Sequence, residues 1–396
     1  MFRSMEEKSM KKKLIRITTV PISLKILLTD QLSFMNKHFD VIGVSSDGNE
    51  LKEVEEKEGI KTIPLNMSRE ITPLKDFISL VKMIVLLLKE KPNIVHTHTP
   101  KAGIIGMLAS WICRVPNRLH TVAGLPVMEA KGNKKKLLLF VEKLTYSCAT
   151  KVYPNSKGLK DYILDNNLTK RDKLKVIGYG SSNGIDTKYF YKSDEIINKS
   201  LEIKESYGLK DKFVFCFVGR IVRDKGINEL VSSFDKLNKE FENISLVLVG
   251  NYEDTLDPIS KNSKDIIKRN QNIIEAGYQS DIRPFLASSD CFILPTYREG
   301  FPNVLLQASS MELPCIVTNI NGCNEIIEDN KNGLIVERKN EEELYLAMKK
   351  VLKDKNLLKK LSENSRNNIV KKYDRKEFFK YLLKEYEEVI FDKKSI

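Results

Sequence analysis

Short apolar runs recur along the chain at strand length, and helix-like stretches with one polar face separate nearly every pair of them. In the first half the runs are LIRITTV, FDVIGVSS, IKTIPLN, NIVHTHT, NRLHTVAG, KVYPNS and KLKVIGYGS; in the second they are FVFCFVGR, ISLVLVG, IIEAGY, CFILPT, PCIVTN and GLIVE. The runs are continuous rather than alternating, which marks strands buried on both faces, and helices between them join parallel neighbours. The pattern predicts an α/β protein built from two doubly wound, Rossmann-like domains. The interruption GSSNGIDTKYF, Gly180 to Phe190, divides them. The expected limits are a loose tail over 1–13, a first domain over 14–181, a second over 182–374, and an amphipathic C-terminal helix over 375–396 packing toward the first domain. FISLVKMIVLLL, Phe77 to Leu88, has a lysine in its middle and is too short to span a bilayer, so it reads as a buried helix.

With 396 residues, 41% hydrophobic and 30% charged, the chain can fill two ordinary cores. Its start, MFRSMEEKSMKKKL, has charges where a secretory signal needs an apolar segment, which reads as a cytoplasmic protein. Six scattered cysteines without a C-x-x-C pair or a neighbouring histidine cluster read as reduced core residues. The net charge of +13 is unevenly spread: residues 1–180 hold 31 Lys and Arg against 18 Asp and Glu, whereas residues 181–396 hold 35 of each. Residues 101–180 alone hold 15 basic against 5 acidic groups, with Lys131, Lys134, Lys135 and Lys136 grouped ahead of LLLFVEKLTYSCA. The first half therefore meets something anionic, and these four lysines are candidates for contact with an anionic membrane surface. Nucleic acid is disfavoured, because the basic charge comes without an aromatic-interleaved stripe, a helix-turn-helix or an RNP-like motif.

In doubly wound sheets ligands bind beyond the carboxyl ends of strands, so the residues just after each run carry the chemistry. FVFCFVGRIVRDKGINEL puts Gly219 and Arg220 at one strand end, then Lys225 in the turn that starts a helix. Two cations beside a glycine turn suit a diphosphate, although solvated loop cations would look the same. CFILPTYREGFPNVLLQ puts Glu299 after another strand, Gly300 in a turn, Pro302 near a first helical turn, and helix from Asn303 onward. Glu299 can accept hydrogen bonds from sugar hydroxyls while amides around Phe301, Asn303 and Val304 meet phosphate; the alternative is a carboxylate that merely caps the helix.

Taken together, GR…DKG, EGFPNVLLQA, NGCNEII, KNGLIV and the NGID linker resemble the family 4 retaining glycosyltransferases of the GT-B fold, in order and spacing, over essentially all the chain after residue 13. HTHTPKAGIIGMLASWICRVPNRLHTVAGLP, ATKVYPNSKGLKDYI and GYGSSNGID resemble transferases of capsule and lipid-linked oligosaccharide assembly, which extend a sugar on undecaprenyl diphosphate. The resemblance implies two domains facing a central cleft and a nucleotide-diphosphate sugar, UDP-linked and carrying an N-acetylhexosamine or a related sugar, as co-substrate, with no other cofactor. It implies that Arg220 and Lys225 hold the diphosphate, that Glu299 contacts the donor sugar, that Gly219 and Gly300 to Val304 line the donor site, and that His120 is the active-site histidine. His98 and Lys101, in HTHTPKAG, are secondary candidates for the diphosphate of a polyprenyl-linked acceptor. Two departures stand out. The family pattern has a second glutamate on the ribose where this chain has Gln307, and the first turn, TTVPISLKILL, lacks the family's glycine pair.

The implied reaction retains the anomeric configuration by a front-face route in which the departing phosphate helps deprotonate the acceptor. The chain contains no D-x-D, in keeping with a metal-independent transferase associated peripherally with the inner face of the cell membrane. Two alternatives stay open at this level: a nucleotide-sugar 2-epimerase of similar architecture, and a non-catalytic protein that binds an anionic polymer.

Overall fold

The computed structural model describes residues 11–391 apart from 69, 71, 129 and 256. The expected loose tail therefore lies largely outside the described residues, as do the last five positions. Among the described residues twelve strands form: β1 (Lys13–Ile17), β2 (Asp40–Ser45), β3 (Lys61–Pro64), β4 (Ile94–His98), β5 (Asn117–Val122), β6 (Lys151–Pro154), β7 (Phe213–Val218), β8 (Ile244–Val249), β9 (Ile273–Gly277), β10 (Cys291–Leu294), β11 (Cys315–Thr318) and β12 (Gly333–Val336). They make two six-stranded sheets, ordered β3-β2-β1-β4-β5-β6 and β12-β11-β10-β7-β8-β9. Every pairing is parallel. Each order reverses direction once, between β1 and β4 and between β7 and β10, and such a switch point opens a crevice at the carboxyl edge.

The chain divides into two compact units, one running to Asn183 and resuming at Phe378, the other Gly184–Glu377. The expected boundaries fall two or three residues earlier in each case. Hydrogen bonds account for the difference. Asn183 donates to Thr29 O at 2.9 Å and accepts from Gln31 at 2.9 Å, which ties it to the first unit. Arg375 N–H donates to Ile185 O at 2.9 Å, and Ile185 N–H to Tyr373 O at 2.8 Å, so the residues after Tyr373 still belong to the second.

The helix Arg375–Phe391 then completes the core of the first unit. Phe378, Phe379, Leu382, Tyr386 and Val389 are buried with Leu14, Val41, Ile94 and Leu119 on one face of that sheet. Ile15, Ile17, Val95 and Val122 face the other way, onto the helices Pro73–Glu90, Pro100–Ile112 and Gly132–Cys148.

Two expectations need correction. KLKVIGYGS forms no strand: beyond a single bridge from Leu174 to Val152 it turns, because Gly178, Gly180 and Ser181 take φ of 55°, 104° and 74°, outside the extended region. FISLVKMIVLLL is helical but only Ser79, Met83 and Leu87 of its helix are buried. Its apolar residues outnumber what one core face can accept, and the rest point outward.

Leu382 is 2% exposed. Leu382→Ala should lower stability by about 2–5 kcal/mol in urea unfolding, the range for a fully buried leucine.

Candidate active site

In the second unit the switch point is built by two loops. After β7 comes Gly219, then Arg220, then the turn Arg223–Lys225, which ends at Gly226 as the cap of the helix Ile227–Asn238. After β10 come Pro295 to Glu299, and then the helix Asn303–Ser310. Gly226 has φ of 70°, and a Cβ on it would sit 2.0 Å from Pro295 O, so only glycine lets the turn lie directly on the end of β10. Tyr297 N–H donates to Asp224 O at 2.8 Å, and the Thr296 hydroxyl donates to the same oxygen at 3.2 Å.

That docking brings the Lys225 ammonium onto the Glu299 carboxylate, in an ion pair whose side chains are 19% and 17% exposed. Asn321 steadies the Glu299 backbone by donating to its carbonyl at 2.6 Å. Arg298 pairs with Asp224 at 2.7 Å, and Arg220 with Glu253 at 2.5 Å. The Arg220 pair is well exposed, at 54% and 33%, and such pairs contribute only about 0–1 kcal/mol, so an incoming anion can take the guanidinium from Glu253. The helix Asn303–Ser310 has Pro302 as its N-cap and no side-chain cap. Its first intrahelical bond is made by Leu305 N–H to Pro302 O, at 3.1 Å, which leaves the amides of Asn303 and Val304 ahead of it. Phe301 is buried against Tyr373, with ring centroids 5.5 Å apart. Gln307 lies one turn into the helix, half-buried, with no side-chain hydrogen bond among the described residues. Sequence reasoning missed Glu253, Arg298 and Asn321. Inspecting the residues after β8 as closely as those after β7 and β10 would have found the first.

In the first unit the histidines divide between the two faces of the sheet. His120 lies in β5, not beyond it, and its Nδ1 is 2.8 Å from Thr97 Oγ1. Gly103 of the helix Pro100–Ile112 lies so close that a Cβ there would be 2.6 Å from the ring. Burial pushes its pKa down to about 4, so the ring is neutral at pH 7. On the opposite face His98 Nε2 accepts from Arg16 Nη2 at 2.8 Å and Nε at 3.1 Å, which requires a neutral ring protonated on Nδ1. Burial, then the Arg16 charge, holds its pKa well below the usual histidine range. His96, stacked 4.3 Å from His98, bridges Tyr386 and Thr121 at 2.6 and 2.8 Å. Arg16 also donates to Gln31, and its Nη1 is buried without a partner among the described residues. Lys101 is paired with Asp76 at 2.5 Å, so its charge is already met by a carboxylate. Lys131 precedes the helix Gly132–Cys148, and Lys134, Lys135 and Lys136 occupy its first turns, where the helix dipole disfavours cations.

A family model for glycosyl transferase 4-like domains matches residues 25–156, and one for glycosyl transferases group 1 matches residues 199–368. Over 91% of this chain and 93% of the relative, the sequence is 38% identical to the capsular polysaccharide biosynthesis glycosyltransferase CapM of Staphylococcus aureus. The chain belongs to the group 1 glycosyltransferases. This glycosyltransferase is also 31% identical, over 85% of each chain, to the UDP-Gal:alpha-D-GlcNAc-diphosphoundecaprenol alpha-1,3-galactosyltransferase of Escherichia coli. Its fold is that of Anabaena HepE, solved in complex with UDP, with a TM-score of 0.79 over 96% of this chain and 100% of HepE at 17% identity. The expected GT-B fold and glycosyltransferase family are thereby established for this chain.

The depressed pKa of His120 has a consequence for this glycosyltransferase. Between pH 6.5 and 4 the unfolded chain binds a proton at this position that the folded chain does not, so stability is full above pH 6.5 and falls as the pH drops toward 4. From pH 6.5 to 5 the loss from this residue is about 2 kcal/mol. Urea unfolding of the wild type and His120→Asn at both pH values should show the pH-dependent loss smaller by that amount in the variant, the buried His96 and His98 supplying the remainder.

Proposed function

We propose that this glycosyltransferase moves a sugar from a UDP-sugar onto a saccharide carried on a polyprenyl diphosphate, in capsule or other surface polysaccharide assembly at the inner face of the cell membrane. The observation that carries the reading is the Lys225–Glu299 pair at the switch point between β7 and β10, with Arg220 at the end of β7. Two cations and one carboxylate at one switch point support a site for a sugar diphosphate. The names of the S. aureus and E. coli relatives support the capsule setting and the diphosphate-linked acceptor, and the UDP complex of HepE supports the nucleotide.

In this reading Arg220 and Lys225 offset the charge that grows on the diphosphate as the glycosidic bond breaks. Once Lys225 turns to phosphate, Glu299 is released to accept hydrogen bonds from the donor sugar. The amides of Asn303 and Val304, beside Gly300, Phe301 and Pro302, meet phosphate at the helix N-terminus. Gln307 meets the ribose through a neutral amide, where a carboxylate would make a stronger, charge-assisted bond. His120, neutral, is assigned as the active-site histidine of the first unit, and His98 with Lys101 is assigned to the acceptor diphosphate. Transfer retains the anomeric configuration, with the departing phosphate taking the acceptor proton. The fixed cations do the work without a metal ion. Lys131, Lys134, Lys135 and Lys136 face the anionic membrane surface.

Saturation-transfer NMR with UDP-, GDP- and ADP-sugars tests the donor site: one UDP-sugar should bind the wild type and bind weakly to Glu299→Ala and Arg220→Ala. Binding of none of them, or undiminished binding by both variants, overturns the assignment. Lys225→Ala should lower kcat by about 100- to 1,000-fold, and transfer should persist in EDTA. Gln307→Glu should tighten UDP about fivefold in calorimetry, the value of roughly 1 kcal/mol for a charged hydrogen bond over a neutral one.

A further inference from the structure

The helix Pro73–Glu90 carries a row of large apolar residues that nothing among the described residues covers. Leu74, Phe77, Ile78, Val81, Val85 and Leu88 are 83%, 65%, 54%, 44%, 61% and 58% exposed. At 100° per residue these six fall within an arc of about 100°, opposite the buried Ser79, Met83 and Leu87, so they form one stripe along a helix about 27 Å long. Lys75, Lys82 and Lys89, all exposed and seven residues apart, line one edge of it. The helix's two carboxylates are already engaged: Asp76 with Lys101 at 2.5 Å, and Glu90 with Lys13 and Lys61 at 2.6 and 3.2 Å. The stripe is thus bordered by positive charge.

The neighbouring helices extend the surface. Pro100–Ile112 and Gly132–Cys148 cover the same face of the sheet, and they add Trp111, Ile112, Leu137 and Phe140, exposed by 56%, 45%, 46% and 64%. Lys131, Lys134 and Lys136 stand exposed beside the last two. The Asp76–Lys101 contact fixes the direction of the stripe, because Lys101 follows the end of β4. Leu74, Phe77 and Ile78 therefore lie at the carboxyl edge of the first sheet, where its switch point opens.

We propose that the outer face of the Pro73–Glu90 helix is the element by which this protein enters an anionic lipid bilayer. The helix lies in the plane of the interface, its stripe at the acyl boundary and its lysine row among the headgroups. The charge pattern favours a bilayer over a second copy of the chain: a two-fold self-contact through this patch would oppose the lysines to lysines if antiparallel and to the apolar edge of the stripe if parallel, with no free carboxylate on the helix to meet them in either case. The inference rests on the reading that the acceptor is lipid-borne, and it brings the carboxyl edge of the first sheet to the surface where such an acceptor resides.

Vesicle flotation tests it. The full-length wild type should float with phosphatidylglycerol-containing vesicles at low salt, and at least tenfold less with phosphatidylcholine alone. Val81→Glu/Val85→Glu, at solvent-exposed positions, should lose at least tenfold of that binding. Lys75→Gln/Lys82→Gln/Lys89→Gln should lose the preference for anionic lipid. Near-UV circular dichroism and UDP binding by saturation-transfer NMR report that each variant is folded. Flotation of the stripe variant equal to the wild type overturns the inference, as does a stripe variant that splits a wild-type dimer in sedimentation without changing flotation. A wild type that binds UDP but no vesicles also overturns it, and leaves the sugar-transfer reading standing.

Discussion

The arrangement of charges in the second unit depends on one close approach. The turn that carries Lys225 rests on the end of β10 with no space for a methyl group between Gly226 and Pro295 O. Because the two loops belong to strands on either side of the switch point, that contact sets how far a cation from one stands from a carboxylate of the other. Asp224 reinforces it from the same turn, accepting from the Tyr297 amide through its carbonyl and holding Arg298 through its side chain. Rigid backbone contacts thus fix a pair of opposite charges at the switch point. In the proposed reading each cation exchanges its acid for phosphate and keeps its charge compensated.

The first unit handles charge differently. Arg16 is fully buried in β1 without an acidic partner among the described residues and is held by neutral acceptors, His98 and Gln31. Removing a guanidinium from water costs several kcal/mol, so such a residue persists only where its hydrogen bonds matter. Here they run from the end of β4 through Gln31 to Ser182 O and Asn183, the last residues before the chain leaves the unit. One buried cation therefore orients a strand end at the switch point and the segment that leads to the second unit.

Much of this architecture was legible in the chain. Parallel strands buried on both faces leave continuous apolar runs, and twelve of the thirteen runs became strands. KLKVIGYGS failed because apolar content alone does not reveal three residues of positive φ within four positions. The Pro73–Glu90 helix failed for a related reason: an apolar helix reads as buried whether its surplus faces a core or the outside, and only the packed neighbours distinguish the two. Arg220, Lys225 and Glu299 stood out as candidates because each lies in a loop that follows a strand. Glu253 lies in such a loop after β8 and was legible by the same rule, whereas the Arg298–Asp224 pair and the Asn321 bond to Glu299 O join loops distant in sequence and leave no local pattern. The facing of His98 and His120 was equally hidden, since a shift of one residue in a strand exchanges the two sides of a sheet.

The last helix has a bearing on how the protein is made. Phe378, Phe379, Leu382 and Tyr386 fill one side of a sheet whose strands are all complete by Pro154, more than two hundred residues earlier in the chain. While the ribosome is still producing the second unit, which can fold on its own local contacts, that side of the first sheet has only part of its cover. The first unit therefore cannot complete its core until the C-terminus is made, and a chain released early would carry a finished second unit joined to an unfinished first.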